Sequence, residues 1–128
     1  MSVIHHFSGD TSEGEYAWEG VQPVSINIDE VQGVFKRVLV GPDENTPNFI
    51  IRYFQVPVDS KTFNHQHPHE HGMLILHGSA IIQLGESFHE LKALDSVFVS
   101  GDDLHQVINT GEESLGFLCI IPSDAKET

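Results

Sequence analysis

The stretch Asn64-His65-Gln66-His67-Pro68-His69-Glu70-His71-Gly72-Met73-Leu74-Ile75-Leu76 sets a dense histidine cluster directly before an apolar run of β type. Side chains two residues apart on an extended backbone point to one face, so His65 and His67 can reach a single metal ion, and His71 shares their parity. Pro68 followed by His69-Glu70 supplies a break at which the chain turns before the strand from Met73 to Leu76. His69, assigned the opposite parity and standing beside Pro68, is expected to be exposed or to act from outside the ligand set. A fourth ligand has to come from a distant strand. The isolated histidine that opens a strand after a turn is His105, in Asp102-Asp103-Leu104-His105-Gln106-Val107-Ile108-Asn109, and Val107 then faces the same interior. Period-two placement suits metal ligation; the competing reading is a solvated histidine-rich surface loop. Glu70 is a carboxylate placed to accept the second ring N–H of a ligating imidazole, or else a solvated loop residue. His5, His6, His77 and His89 are read as surface or packing residues.

Outward from this stretch, short β-rich runs alternate with turn clusters. Val34 to Val40 ends in Gly41-Pro42-Asp43, and Phe49 to Val56 ends in Pro57-Val58-Asp59-Ser60. Beyond the histidines come Met73 to Leu76, Ala80 to Leu84, Val97 to Val99, Gln106 to Ile108 and Leu115 to Ile121. Strands this short and closely spaced predict an all-β sandwich or small barrel. A short helical turn can begin at Asp29. Residues 1–20 read as an N-terminal arm whose Tyr16 and Trp18 are placed to dock on the body, residues 21–123 as one domain, and residues 124–128 as a frayed tail.

At 128 residues the chain is one domain that buries roughly two-thirds of its unfolded surface. Six Lys+Arg against 19 Asp+Glu, a formal net charge of −13, exclude a nucleic-acid backbone or anionic lipid surface as partner. No apolar run approaches a membrane span, and no basic segment followed by an apolar one opens the chain, which predicts a cytoplasmic protein. The single cysteine, Cys119, rules out a disulfide framework and a zinc site built on several thiolates.

These residues resemble the cupin superfamily, whose first motif runs from a His-x-His pair through a Glu to a Gly. His65-Gln66-His67 supplies the pair, His71 stands in the glutamate position, and Gly78 is the closing glycine. In the second motif Leu94 stands where a Gly is usual, Ser100 where a Pro is usual and Asp102 where a second Gly is usual, while His105 and Asn109 fall at the expected places. The run from His65 to His71, with Gly33-Val34-x-Lys36-Arg37-Val38-Leu39, Pro47-Asn48-Phe49 and Phe117-Leu118-Cys119-x-Ile121-Pro122, looks like the small single-domain bacterial and archaeal cupins with a four-histidine site. His69 departs from that group, which often has a bulky aromatic residue there. The resemblance implies a double-stranded β-helix (jelly-roll barrel), His65, His67, His71 and His105 as ligands, manganese as the ion, and a homodimer. Four neutral imidazoles by their softness suit Zn, Cu, Ni or Fe(II) instead, so the expectation is one divalent transition metal per chain. Replacing a carboxylate by His71 leaves the full dipositive charge on the centre, and octahedral coordination leaves two open positions.

Both parity sets of Leu115 to Ile121 are apolar, so both faces are covered; the resemblance assigns Phe117, Cys119 and Ile121 to the lumen. On Ile50-Arg52-Phe54-Val56, Arg52 is either a buried cation for an anionic group or one half of an ion pair. Cys119 is either a pocket thiol or packing. The candidate substrate pocket is therefore Arg52, Phe54, Val107, Phe117, Cys119 and Ile121. No catalytic residue is singled out. The leading functional expectation is a metal-dependent oxidoreductase of dioxygenase or oxygenase type on a small apolar or aromatic molecule. A non-catalytic metal-dependent small-molecule binding or sensor module is the alternative. A Lewis-acid isomerase, lyase or cyclase comes third, since it needs a base near the metal and Tyr53 has the wrong parity while Tyr16 lies in the arm.

Overall fold

The computed structural model describes residues 1–26, 33–62, 64 and 66–125. Their strands are β1 (Pro23–Ser25), β2 (Phe35–Val40), β3 (Phe49–Val56), β4 (His71–His77), β5 (Ser79–Leu84), β6 (Ser87–Lys92), β7 (Ser96–Val99), β8 (His105–Asn109) and β9 (Leu115–Pro122). One sheet runs β1-β2-β3-β9-β4-β7 and the other β6-β5-β8, every pairing antiparallel. The expected jelly-roll barrel is the architecture observed.

Period-two alternation builds its lumen. Ile50, Arg52, Phe54 and Val56 of β3, His71, Met73 and Ile75 of β4, and Phe117, Cys119 and Ile121 of β9 are all buried, and the small sheet adds Ala80, Ile82, His105 and Val107. Phe54 and Phe117 are cross-strand partners whose rings stack at 5.4 Å. Full burial of side chains such as Ile75, Ile82 and Leu115 contributes about 1.5–3 kcal/mol each.

The strand β6 has no counterpart in the sequence reading. It is a largely exposed edge strand that, among the described residues, pairs with β5 alone and packs only Leu91 against the core, too little burial for the apolar alternation that marks a half-buried strand. The helical turn expected at Asp29 falls mostly on residues 27–32, outside the described residues. The tail expected to fray turns back at least through Ala125, which packs on the core and donates its N–H to the Pro122 carbonyl at 3.1 Å.

The arm docks as expected. Bridges Phe7↔Trp18 and Asp10↔Glu15 fold residues 7–18 into a small hairpin. Tyr16 stacks on His77 (4.1 Å between centroids) and Tyr53 (5.8 Å), and Trp18 packs against Tyr53 (5.2 Å). Tyr53 has the parity opposite to Arg52 and Phe54, so this hairpin covers the outer face of the large sheet and leaves the lumen to the other side chains. Gly78, between β4 and β5, has φ +87°, and a Cβ there would lie 2.8 Å from the Ser114 carbonyl oxygen. Among the described residues no helix is long and apolar enough to cross a membrane.

Candidate metal centre

The centre is built where the loop before β4 meets the turn before β8. Residues 66–70 are loop and bend, so the strand expected through His65 and His67 is corrected: the strand begins at His71. Pro68 lacks the amide proton a ladder requires. His65 itself lies outside the described residues. The loop is held from across the barrel end. Asp102 donates its N–H to the His67 carbonyl at 2.6 Å, and Gln66 Nε2 donates to the Asp102 carbonyl at 2.9 Å. A Cβ at Gly101 would collide with the Pro68 carbonyl, so the glycine permits this approach.

Four imidazoles converge as a result. His67 and His71 lie 4.6 Å apart between ring centroids, and His105 stands edge-on to both, at 5.0 Å and 4.9 Å. His69, expected outside the set, is half-buried and stacks on His67 at 3.7 Å. One ring nitrogen from each of His67, His69 and His71 falls within 4.8 Å of the others. Residue 69 is odd-numbered like 67 and 71, and period-two spacing applied strictly includes it.

The tautomers follow from what each Nδ1 touches. His67 Nδ1 is 3.1 Å from the His69 carbonyl and His105 Nδ1 is 3.0 Å from the Asp103 carbonyl. A carbonyl only accepts, so both nitrogens carry the proton and Nε2 keeps its lone pair. His71 Nδ1 lies 3.1 Å from the sulfur of Cys119, and its Nε2 is buried without a hydrogen-bond partner among the described residues. Burial pushes the His71 imidazole down to about 2, reinforced by the fields of His105 and Arg52. Burial likewise lowers His105 and His69 from the ordinary histidine value. His69, His71 and His105 are therefore neutral at pH 7, the state that ligates.

A buried, unpartnered imidazole nitrogen facing further neutral imidazoles is a donor set that fits a divalent transition ion. Glu70 does not support the described imidazoles His67, His71 and His105. Its side chain is exposed, and the Nδ1 atoms of His67, His71 and His105 are taken by two carbonyls and a thiol. The residues expected to line a pocket, Arg52, Phe54, Val107, Phe117, Cys119 and Ile121, are all buried on the inward faces. Arg52 Nη2 donates to Cys119 Sγ at 3.1 Å, and its guanidinium lies 4.9 Å from the Phe54 ring centroid. The contact between Cys119 and His71 was beyond the sequence, since it depends on the β4–β9 register. Asn109 is a structural staple: its amide donates to the carbonyls of Val56 and Glu113, both at 3.0 Å, and its oxygen accepts from the Gly111 N–H at 2.9 Å.

Residues 52–121 match the family model described as Cupin domain. A 1-methylthio-D-xylulose 5-phosphate methylsulfurylase of Rhodospirillum rubrum is 27% identical over 115 residues, covering 88% of this chain and 72% of that protein. The crystal structure of a cupin-2 domain from Rhodospirillum rubrum superposes with a TM-score of 0.81 at 27% identity, covering 89% of this chain and 77% of the other. A cupin 2 domain-containing protein from Halorhodospira halophila is 31% identical with a TM-score of 0.69, covering 88% of this chain and 73% of its own.

Proposed function

We propose, from the premise that this chain belongs to the cupin domain family, that it holds one divalent transition metal ion in a jelly-roll lumen and acts as a metal-dependent oxidoreductase of oxygenase type on a small apolar or aromatic molecule. His67, His71 and His105 hold the ion, with His65, the ligand implied by the family resemblance, as the fourth donor. The observation that carries the reading is the buried Nε2 of His71, which has no hydrogen-bond partner among the described residues, beside two imidazoles whose Nδ1 atoms are tied to carbonyls. Such an ion supplies Lewis acidity and, for manganese or iron, one-electron chemistry. The chain's own part is to bind and shield. Phe54 and Phe117 form a stacked apolar wall that excludes water, and the Arg52 guanidinium offers an anchor for an anionic substituent. Manganese remains the ion implied by the family resemblance, and Fe, Ni, Zn and Cu suit the imidazole set.

Protein purified without added metal is expected to carry close to one transition-metal ion per chain by elemental analysis, and His71→Ala to lose most of it. The manganese or iron form is expected to consume dioxygen or peroxide in the presence of an aromatic or alkene substrate. No metal even after reconstitution overturns the centre. A loaded protein inert across a broad panel overturns the oxidoreductase and leaves the metal-dependent binding module.

A second reading is favoured by the buried Cys119 thiol between Arg52 and the metal centre. The relative named as a methylsulfurylase acts on a phosphorylated 1-methylthio sugar, and a lumen with one guanidinium and one thiol suits a small anionic thioether. Turnover of such a sugar phosphate without oxygen uptake selects this reading over the first. A homodimer is the assembly that goes with either one. Phe98 and Ile120 are exposed and both pair with Gly72 on the outer face of the large sheet, which supports a second copy covering that face; light scattering reads the mass.

A further inference from the structure

Resting on the metal-centre reading, we propose that Cys119, backed by Arg52, is the positioning residue for His71, its sulfur accepting the Nδ1–H and thereby turning Nε2 toward the ion. His67 and His105 carry their own supports, because each Nδ1 finds a carbonyl two residues away on the same segment. His71 cannot do this. It sits in β4, where its local carbonyls belong to the sheet ladder, so its acceptor comes from another strand. Cys119 stands in β9, paired with Met73 of β4 on one side and with Arg52 of β3 on the other. The sulfur lies 3.1 Å from His71 Nδ1 and 3.1 Å from Arg52 Nη2. Two N–H donors thus converge on one atom when Nε2 is the ligating nitrogen, and the guanidinium fixes the sulfur from the side opposite the imidazole. The unpartnered Nε2, on a side chain only 7% exposed, is the end of this row that faces the ion.

Packing alone makes the opposite forecast. A buried cysteine that only fills space is replaced better by Ala or Val than by Ser, whose hydroxyl costs free energy in an apolar site. An acceptor is replaced best by Ser. The test measures Co²⁺ affinity by chelator competition, with the ligand-field absorption of the bound ion as signature, in full-length wild type, Cys119→Ser, Cys119→Ala and Cys119→Val. Outer partners of metal-bound histidines are worth about 10–100-fold in affinity. Ala and Val are expected to lose that much and to alter the spectrum, while Ser stays close to wild type. Val keeps the volume if Ala impairs folding, and melting of the metal-free variants separates packing from positioning. Wild-type affinity in Cys119→Ala, or an equal loss in Ser and Ala, overturns the proposal while the metal centre stands. Wild-type protein that binds neither Co²⁺ nor Mn²⁺ overturns the centre itself, and the proposal with it.

Discussion

Tyr53 Oη lies 2.6 Å from His77 Nε2 on the outer face of the large sheet, beneath the N-terminal hairpin. His77 Nδ1 is 3.0 Å from the Ser114 carbonyl and must donate to it, so Nε2 accepts from the tyrosine. Burial raises the Tyr53 phenol and lowers the His77 imidazole, which keeps the donor protonated and the acceptor neutral. Tyr16 then stacks on the joined pair. Tyr53→Phe leaves the half-buried His77 acceptor without its donor and is expected to cost about 1 kcal/mol. Trp18, the single tryptophan, packs against Tyr53, so its emission followed through a urea titration reads the effect. An unchanged midpoint counts against the pair as a fastening for the arm.

Acid is expected to destabilise the metal-free protein earlier than carboxylate titration alone predicts. His69, His71, His77 and His105 all have folded values lowered from 6.5, chiefly by burial. For a depressed histidine the unfolded chain binds the proton first, so stability is complete above the unfolded value of 6.5 and falls as pH drops below it. Each fully neutral imidazole contributes a slope of up to about 1.4 kcal/mol per pH unit in that window. Chemical denaturation of chelator-stripped protein across about pH 7 to 5 checks this, since that range lies above most carboxylate titration. A stability that stays flat or rises on acidification there contradicts the assignment.

The architecture was legible because short β-rich runs are separated by turn clusters and the histidine motif precedes an apolar strand, while on β9, apolar on both faces, the lumen set Phe117, Cys119 and Ile121 came from the family resemblance. What escaped was whatever depends on register or on exposure. The strand β6 carries no apolar period because it is largely exposed and packs only Leu91 against the core. The Cys119–His71 contact needs the β4–β9 pairing, which no single segment encodes. His69 has the same parity as His67 and His71, not the opposite one expected of it, so period-two spacing applied strictly places it with them. In the sequence His77 carries no signal beyond that of a surface or packing residue, and only the fold brings Tyr16, Tyr53 and Ser114 around it.

The degenerate second motif leads to a stability prediction. Leu94 and Asp102 occupy the two positions where the family resemblance expects glycine, and both have left-handed backbones, with φ of 74° and 67°. The turn geometry has been kept while the residue suited to it has been replaced. A non-glycine residue in that region costs roughly 1–2 kcal/mol, set against roughly 0.5–1 kcal/mol of extra unfolded-state freedom for glycine. Leu94 is 75% exposed, so its side chain contributes little burial. Leu94→Gly is therefore expected to raise stability by about 0.5–1 kcal/mol, visible as a higher urea midpoint with an unchanged slope. A lower midpoint indicates that the leucine makes a contact worth more than its strain.

The role of His69 can be separated from that of His105 by their attachments. His105 is 6% exposed and its Nδ1 is tied to the Asp103 carbonyl, so its Nε2 is aimed before any ion arrives. His69 lies flat on His67, with ring planes 7° apart, and neither of its ring nitrogens has such a tether among the described residues. A ring held only by stacking loses rotational freedom on ligation, whereas a tethered ring has already lost it. His105→Ala is expected to weaken metal binding by about 10–100-fold or more. His69→Phe, which keeps the aromatic stack and removes both nitrogens, is expected to retain most of the wild-type affinity, and His69→Ala to fall between the two through loosening of His67. Measured by chelator competition on the three variants, a loss in His69→Phe as large as that in His105→Ala makes His69 a ligand in its own right.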